Sequence, residues 1–297
     1  MPLKNQRKAM LFGLLAVLAW STVATAFKLA LQRVDHYQLL FLANVFSLLS
    51  LALVLTFQGK LKTIFRATRS QLATCAGLGL LNPFFYYLVL FKAYDLLPAQ
   101  VAQPLNYTWA LTLSWLAVPI LGHRLRWRDG FAGLLCYAGV VIITTGGDFR
   151  TWQMDSTLGV ALALGSTLIW ALYWLANARL KFDPVGGLFL GFLFSLPPVV
   201  LVTWLFSDFN IPADGVAFGA YVGAIEMGFT FVLWLTAMRL TTSTARIANL
   251  IFLSPFLSLI FIHFVLGEHI RIATVPGLIL IVVALRWQSA GNPKESG

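Results

Sequence analysis

The sequence is poor in charged residues and in cysteine. Only 11% of its 297 residues are charged, against about a quarter in an ordinary soluble domain. Hydrophobic residues make up 59% of the chain. This composition does not fit a soluble globular protein and is typical of an integral membrane protein.

Missing motifs narrow the chemistry further. Cys75 and Cys136 both lie in apolar segments with no ligand spacing around them, so neither a disulfide framework nor a metal site is indicated. A GxxxxGK[ST] loop is absent, which argues against an ATP-driven mechanism carried on this chain, and there is no HExxH motif of a metalloenzyme. We therefore predict buried thiols, no cofactor and no metal.

Long apolar runs recur along the whole chain, each near the ~20 residues that cross a bilayer as a helix. They predict an all-α integral membrane protein with ten transmembrane helices. The last run is the shortest, with fourteen residues between Arg271 and Arg286, so its helix depends on Arg286 snorkelling and on Trp287 lying at the interface. The predicted spans are residues 10–31, 37–57, 70–91, 97–121, 130–147, 157–178, 185–206, 214–237, 243–266 and 272–287.

The net charge of +10 could indicate a nucleic-acid partner, but the basic residues sort by loop. If the chain begins in the cytoplasm, fifteen lysines and arginines lie in cytoplasmic segments and five on the opposite side, with Arg246 inside a span. The positive-inside rule then places both termini in the cytoplasm, and nucleic-acid binding is not predicted. The five basic residues on the opposite side are Lys28, Arg33, Lys92, Arg150 and Arg271.

The two halves of the chain look like copies of one five-helix unit. Five spans precede the polar stretch at residues 146–157 and five follow it, which predicts one unit at residues 1–150 and a second, with a short cytoplasmic tail, at residues 151–297. With an offset of 150, Trp20 in LLAVLAWSTV matches Trp170 in LGSTLIWALY.

A second match supports the repeat. With an offset of 144, GLLNPFFYYLVLFKA at residues 79–93 matches GAIEMGFTFVLWLTA at residues 223–237. An odd number of spans in each copy means that the copies enter the membrane from opposite sides. Inverted repeats of this kind place a substrate site near the membrane midplane, where the halves meet, and are typical of secondary transporters that work by alternating access.

Several short motifs resemble a known family. The two repeats, the LGE at residues 266–268 and the matching tryptophans resemble the drug/metabolite transporter superfamily with two EamA-type repeats, over nearly the full chain. Within it, LAWST at 18–22, LNYTW at 105–109 and LIWALY at 168–173 resemble YddG-type bacterial exporters of aromatic and other amino acids. The resemblance implies a multi-pass protein of the bacterial inner membrane that exports amino acids. Another small metabolite or a drug-like solute is the alternative.

Other functional classes fit less well. The GGD at residues 146–148 resembles a motif of intramembrane aspartyl proteases, but Asp148 lies at a span end and no second membrane aspartate completes a dyad. A sensor would usually add a soluble domain, and the loops are too short to contain one. Polar groups confined to the midplane suit alternating access better than a channel. We therefore predict that the chain is not an enzyme.

Counting ~1.5 Å of rise per residue from the span ends places several aromatic and polar residues near the midplane. A cavity lined by them would be mostly aromatic and would suit a small amphipathic solute. The alternative is that the aromatic rings only fill helix interfaces and that the Asn82 amide satisfies a carbonyl freed by Pro83. The predicted substrate-binding residues are Trp20, Asn82, Tyr86, Asn106, Tyr107, Trp109, Trp170, Glu226, Arg246 and Asn249.

Two of these residues are ionisable. A charged carboxylate at Glu226, near the bilayer centre, costs on the order of 2.5–3.5 kcal/mol unless it is protonated or paired. It could couple transport to protons, contact a substrate ammonium group, or remain a protonated acid bonded to a neighbouring helix. Arg246 could snorkel from ~6 Å inside its helix, or turn inward on a stripe with Thr242 and Asn249. The partners we predict are a small-molecule substrate and the lipid bilayer, and we expect a monomer.

Overall fold

The computed structural model describes residues 4–122, 127–148 and 155–290, and over these ranges its regular secondary structure is helical. Eight of the helices are long and apolar enough to cross a membrane. Two shorter helical segments, at residues 99–121 and 274–288, coincide with the other two predicted spans. In chain order the segments are α1 (Gln6–Leu31), α2 (His36–Phe57), α3 (Arg69–Leu96), α4 (Ala99–Tyr107 and Trp109–Leu121), α5 (Trp127–Thr144), α6 (Thr157–Asn177), α7 (Pro184–Phe206), α8 (Ala213–Leu240), α9 (Arg246–Leu266) and α10 (Thr274–Gln288).

Capping residues set where several helices begin. Asp35 and Gln38 form a capping box at the start of α2, and Thr68 and Gln71 form another at the start of α3. These polar contacts satisfy backbone N–H groups that have no partner inside the helix. Some helices also extend beyond the predicted apolar runs: α3 continues to Leu96, whereas the predicted span ends at residue 91.

Polar contacts join helix ends on two sides of the structure. On the side where α1 begins, here called the N-terminal side, Lys60 after α2 pairs with Asp183 before α7 at 2.5 Å. On the other side, here called the distal side, Arg33 after α1 lies 3.3 Å from Asp214 at the start of α8. Four predicted loop charges, at Arg124, Arg126, Arg150 and Lys294, lie outside the described residues, as does the tail from residue 291.

The helices pack in matched pairs. The segment α1 packs along α8 and α9, and its counterpart α6 packs along α3 and α4. Likewise α2 contacts α8, and α7 contacts α3, while α2 contacts α7 and α5 contacts α10. Exchanging α1–α5 with α6–α10 therefore reproduces these pairings.

Glycines allow two of these equivalent contacts to be close. A Cβ atom added at Gly79 in α3 would lie 2.2 Å from the carbonyl oxygen of Gly191 in α7. At the equivalent position in α8, a Cβ atom added at Gly223 would lie 2.5 Å from the carbonyl oxygen of Ala43 in α2. Small residues at such positions let helix backbones approach within a membrane, where packing rather than hydrophobic burial holds helices together.

Candidate functional site

Several helices depart from regular α-helical geometry within their length. Both α3 and α8 contain π-helical segments, at Leu80–Phe85 and Val222–Phe229, within the two tracts that match in sequence. In the first, Asn82 leaves helical geometry altogether, with φ −143° and ψ 117°. The segment α4 is interrupted at Thr108, and α9 contains a 3-10 segment at Asn249–Leu253. Irregular backbone at membrane depth is tolerated where it is buried in protein or lines a cavity, and π-helical turns often mark functional sites.

A cavity of about 220 Å³ is lined by residues from six helices. Three of the six, α1, α3 and α4, come from the first half of the chain, and their counterparts α6, α8 and α9 come from the second. Seven of the ten predicted substrate-binding residues line it. They are Trp20, Tyr86, Asn106, Tyr107, Trp109, Trp170 and Glu226.

Trp170 is at the centre of the aromatic lining. Its ring is stacked on Tyr86 at a centroid distance of 4.4 Å and on Tyr173 at 5.5 Å. The edge contacts with Trp109 and Phe231 are longer, at 6.5 and 6.2 Å. Rings held on several sides in this way form a rigid apolar wall against which a flat solute can stack.

Hydrogen bonds fix the amide group in this wall. The Tyr86 hydroxyl donates to Oδ1 of Asn106 at 3.2 Å, and Nδ2 of Asn106 donates to Oγ of Ser166 at 3.0 Å. The Ser166 hydroxyl in turn donates to the carbonyl oxygen of Ala163 at 2.7 Å. Both ends of the Asn106 amide are therefore engaged, and its main role in this conformation is to hold Tyr86 and α6 in place.

Glu226 is the one carboxyl group among the lining residues. Its side chain projects from the π-helical segment of α8, and the residue is only 8% exposed. Oε1 accepts a hydrogen bond from the Tyr87 hydroxyl at 3.2 Å, whereas Oε2 is buried and has no partner among the described residues. The lining contains no lysine, arginine or histidine that could pair with it.

The structure does not bring Asn82 to the cavity. Asn82 is buried, and its carbonyl oxygen lies beside Gly191, 3.8 Å from where a Cβ atom of that glycine would be. This places the residue at the contact between α3 and α7. The predicted alternative, a bond from the Asn82 amide to a carbonyl freed by Pro83, stays a prediction.

Arg246 and Asn249 also lie outside the cavity lining. Both are exposed, and the exposed positions continue along α9 at helical spacing to Leu253 and Ile260. Arg246 makes no hydrogen bond or ion pair with any residue in the described ranges, Glu226 included. These observations favour the snorkelling interpretation of Arg246 over the inward one.

Several lining residues were not among those predicted from the sequence. The most important is Tyr87, the donor to Glu226, followed by Gln103 and a set of aromatic residues. Helical spacing from the predicted residues could have found Phe27, Gln103 and Trp174, since side chains three, four or seven positions apart share a helix face. The aromatic residues found by the structure alone are Phe27, Tyr87, Tyr94, Trp174, Phe231 and Trp234.

A polar seam lies on the distal side of the cavity. Nζ of Lys28 donates to the carbonyl oxygens of Tyr94 and Leu97, at 2.8 and 3.0 Å. The Glu268 carboxylate accepts from the backbone N–H groups of Ala99 and Gln100 at the start of α4, at 3.0 and 3.4 Å. These contacts tie the ends of α1, α3 and α4 to the loop after α9.

The seam borders an open, charged cleft of about 570 Å³. At its rim, the Arg271 guanidinium makes two hydrogen bonds of 2.7 Å to the Asp155 carboxylate. These bonds raise the pKa of Arg271 above its ordinary value. On the N-terminal side, by contrast, Ala248 both lines the central cavity and is exposed.

Helices of membrane-spanning length around a buried central cavity define the chain as a multi-pass membrane protein. The profile of the EamA-like transporter family matches residues 7–145 and 157–288. The chain belongs to this family of membrane transporters and contains two copies of its repeat.

Two further comparisons agree with this membership. An uncharacterized transporter of Archaeoglobus fulgidus is 24% identical over 161 residues, which cover 52% of this chain and 55% of the relative. The match thus spans about half the length of that curated relative. The structural alignment with a solved crystal structure covers 98% of this chain and 99% of that protein's chain, with a TM-score of 0.67 and 21% identity. That likeness shows a shared fold.

Proposed function

We propose that the protein is a secondary transporter that exports a small amphipathic solute with an amino group across the bacterial inner membrane by alternating access. Amino acids, aromatic ones included, are the substrate class that the sequence resemblance predicts. The observation that carries the proposal is the central cavity, in which one buried carboxylate faces a wall of aromatic rings. The rings fit an apolar part of a solute, and the carboxylate fits an ammonium group.

The size of the cavity supports a small metabolite over a drug-like solute. Its volume of about 220 Å³ is below the ~300–1,000 Å³ common for sites that hold drug-sized ligands. A nucleotide sugar is both larger and anionic, and the lining offers no basic residue for its phosphates. The alternative of a drug-like solute would require the cavity to widen.

The matched helix contacts support two inverted five-helix repeats, at residues 1–150 and 151–297, within ten transmembrane helices. A cavity lined by α1, α3 and α4 and by their counterparts α6, α8 and α9 would lie on the axis that relates the halves. Rocking one half against the other would then expose it to each side in turn. The distal seam and the exposed Ala248 support a conformation closed on the distal side. The distribution of basic residues supports an orientation with the N-terminal side and both termini in the cytoplasm.

Glu226 is also our candidate for proton coupling. A buried carboxylate is costly to ionise without a partner, so it would hold either a proton or a substrate cation. If the Glu226 carboxylate holds either a proton or a substrate but never both, the two are carried across the membrane in opposite directions, which is antiport. The other titratable groups of the lining are the hydroxyls of Tyr86, Tyr87, Tyr94 and Tyr107.

Counterflow in proteoliposomes tests this function. Vesicles containing purified protein are loaded with unlabelled tryptophan, threonine or an indole amine, and uptake of labelled solute is measured with and without a pH gradient. We expect counterflow of at least one of these solutes and its loss in Trp170→Ala. Loss of the gradient dependence in Glu226→Gln would support proton coupling, whereas absence of flux for every solute would reject the proposed function.

A further inference from the structure

Among the described residues, three buried polar atoms of the cavity lining have no hydrogen-bond partner, and two of them are acceptors. Oε2 of Glu226 and Oε1 of Gln103 are buried acceptors without a hydrogen-bond partner among the described residues, and the two residues are 8% and 5% exposed. Nε1 of Trp174 is an unpartnered buried donor of the same lining. Since buried polar groups are costly when unpaired, this set calls for a solute that brings hydrogen-bond donors.

The charge of a solute decides its fit to this cavity more strongly than its hydrogen-bonding groups do. The lining contains one acidic residue and no basic one. The nearest basic side chain at the distal end, Lys28, is already engaged with two carbonyl oxygens. Neutral N–H groups of the lining, such as that of Trp174, can bond to a carboxylate but cannot neutralise it. A zwitterionic amino acid would therefore bring an unpaired anion into an apolar site that already holds a carboxylate.

An ammonium group, unlike a carboxylate, finds a partner of opposite charge in this cavity. It can pair with Oε2 of Glu226, and the surrounding rings attract a cation through their negative faces. Trp20 and Trp170 both lie against Phe231, at centroid distances of 5.6 and 6.2 Å, so an indole ring from each half of the chain flanks the same wall. The cavity thus combines a carboxylate with an aromatic enclosure.

We infer that this cavity selects an apolar or aromatic monoamine, bound as its ammonium cation through Glu226 and lacking a carboxylate of its own. The inference rests on the proposed function and narrows its substrate class. It makes Glu226 the specificity-determining residue, because this side chain distinguishes a cation from neutral or anionic solutes of the same shape.

A series of indole compounds that differ only in charge tests the inference. Tryptamine is a cation at neutral pH, tryptophan a zwitterion, 3-ethylindole neutral and indole-3-propionate an anion. Binding to the purified full chain in detergent is measured by calorimetry, and counterflow of tryptamine and tryptophan is measured in proteoliposomes. We expect tryptamine to bind at least tenfold more tightly than the other three and to be exchanged faster than tryptophan.

Variants connect this preference to Glu226. In Glu226→Gln, tryptamine and 3-ethylindole should bind with similar affinity, whereas Glu226→Asp should retain a preference for the cation. Thermal unfolding and size-exclusion profiles establish that each variant is folded. If Glu226→Gln does not fold, binding of the four indole compounds to the unmodified protein still tests whether the cavity prefers a cation.

The outcomes separate the inference from the function on which it rests. Tryptophan bound and exchanged more effectively than tryptamine would overturn the inference and leave the transporter function standing. Equal affinity for tryptamine and 3-ethylindole in the unmodified protein would also overturn it, because charge would then play no part. Failure of all four compounds to bind or exchange would reject both.

Discussion

The Tyr87 hydroxyl donates a hydrogen bond to Oε1 of Glu226 across 3.2 Å. Tyr87 lies on α3 of the first half and Glu226 on α8 of the second, so this contact joins the two halves at the cavity. It also leaves Oε2 of the carboxylate buried and without a hydrogen-bond partner among the described residues. The pair therefore combines a structural contact between halves with the polar group most suited to recognition.

Tyr87→Phe should weaken binding of an amine solute by about tenfold or more. A hydrogen bond to a charged group contributes about 1.5–3 kcal/mol, and its loss disfavours the ionised carboxylate on which ammonium pairing depends. Tyr86→Phe is the matched control, since the Tyr86 hydroxyl bonds to Asn106 and not to Glu226. Calorimetric titration of both variants measures the effect. Equal affinities in the two variants would show that the Tyr87 contact has no part in binding.

Trp170→Ala should reduce counterflow of indole solutes by at least tenfold. The substitution removes a ring that stacks on Tyr86 and Tyr173, and aromatic pairs contribute about 0.5–1.5 kcal/mol each beyond their buried area. Trp204→Ala is the control, because Trp204 lies near the end of α7 and is 68% exposed. Flux is measured at equal protein incorporation. Full activity in Trp170→Ala would place the binding site elsewhere.

Gly79→Ala should destabilise the protein by about 1–3 kcal/mol, the range typical of overpacking. The added Cβ atom would lie 2.2 Å from the Gly191 carbonyl oxygen, so α3 and α7 would have to separate. Gly77→Ala, two residues earlier in the same helix, meets nothing within 4 Å and should be neutral or slightly stabilising. Thermal unfolding in detergent compares the two variants. A higher midpoint for Gly79→Ala than for Gly77→Ala would contradict the close contact.

Cysteine labelling tests the proposed orientation. In a background with Cys75 and Cys136 replaced by alanine, Ile272→Cys should react with a membrane-impermeant maleimide on spheroplasts. Ile272 is 94% exposed in the loop between α9 and α10 on the distal side. Lys62→Cys, in the short helix Leu61–Ile64 on the N-terminal side, should react only after permeabilisation. The reverse pattern would place the termini outside the cytoplasm.

The sequence was sufficient to predict a helical membrane protein and its family. Apolar runs long enough to cross a bilayer carry that information locally, because a backbone in lipid must satisfy its own hydrogen bonds and so becomes helical. Trp20, Trp170 and Glu226 could likewise be selected as cavity residues from depth alone, since depth follows from counting residues along a span. Glu226 drew attention because a carboxylate at that depth is rare and costly.

Only the tertiary structure decided which of the residues at one depth face each other. Depth along a helix does not fix rotation about its axis, and the π-helical and 3-10 segments change that rotation within α3, α8 and α9. Asn82 was therefore placed against α7 although it lies near the same depth as Glu226, and Arg246 and Asn249 were placed on the exposed face of α9. The pairing of Tyr87 with Glu226 depends on how α3 packs near α8, and contacts between helices from different halves of the chain cannot be read from either segment by itself.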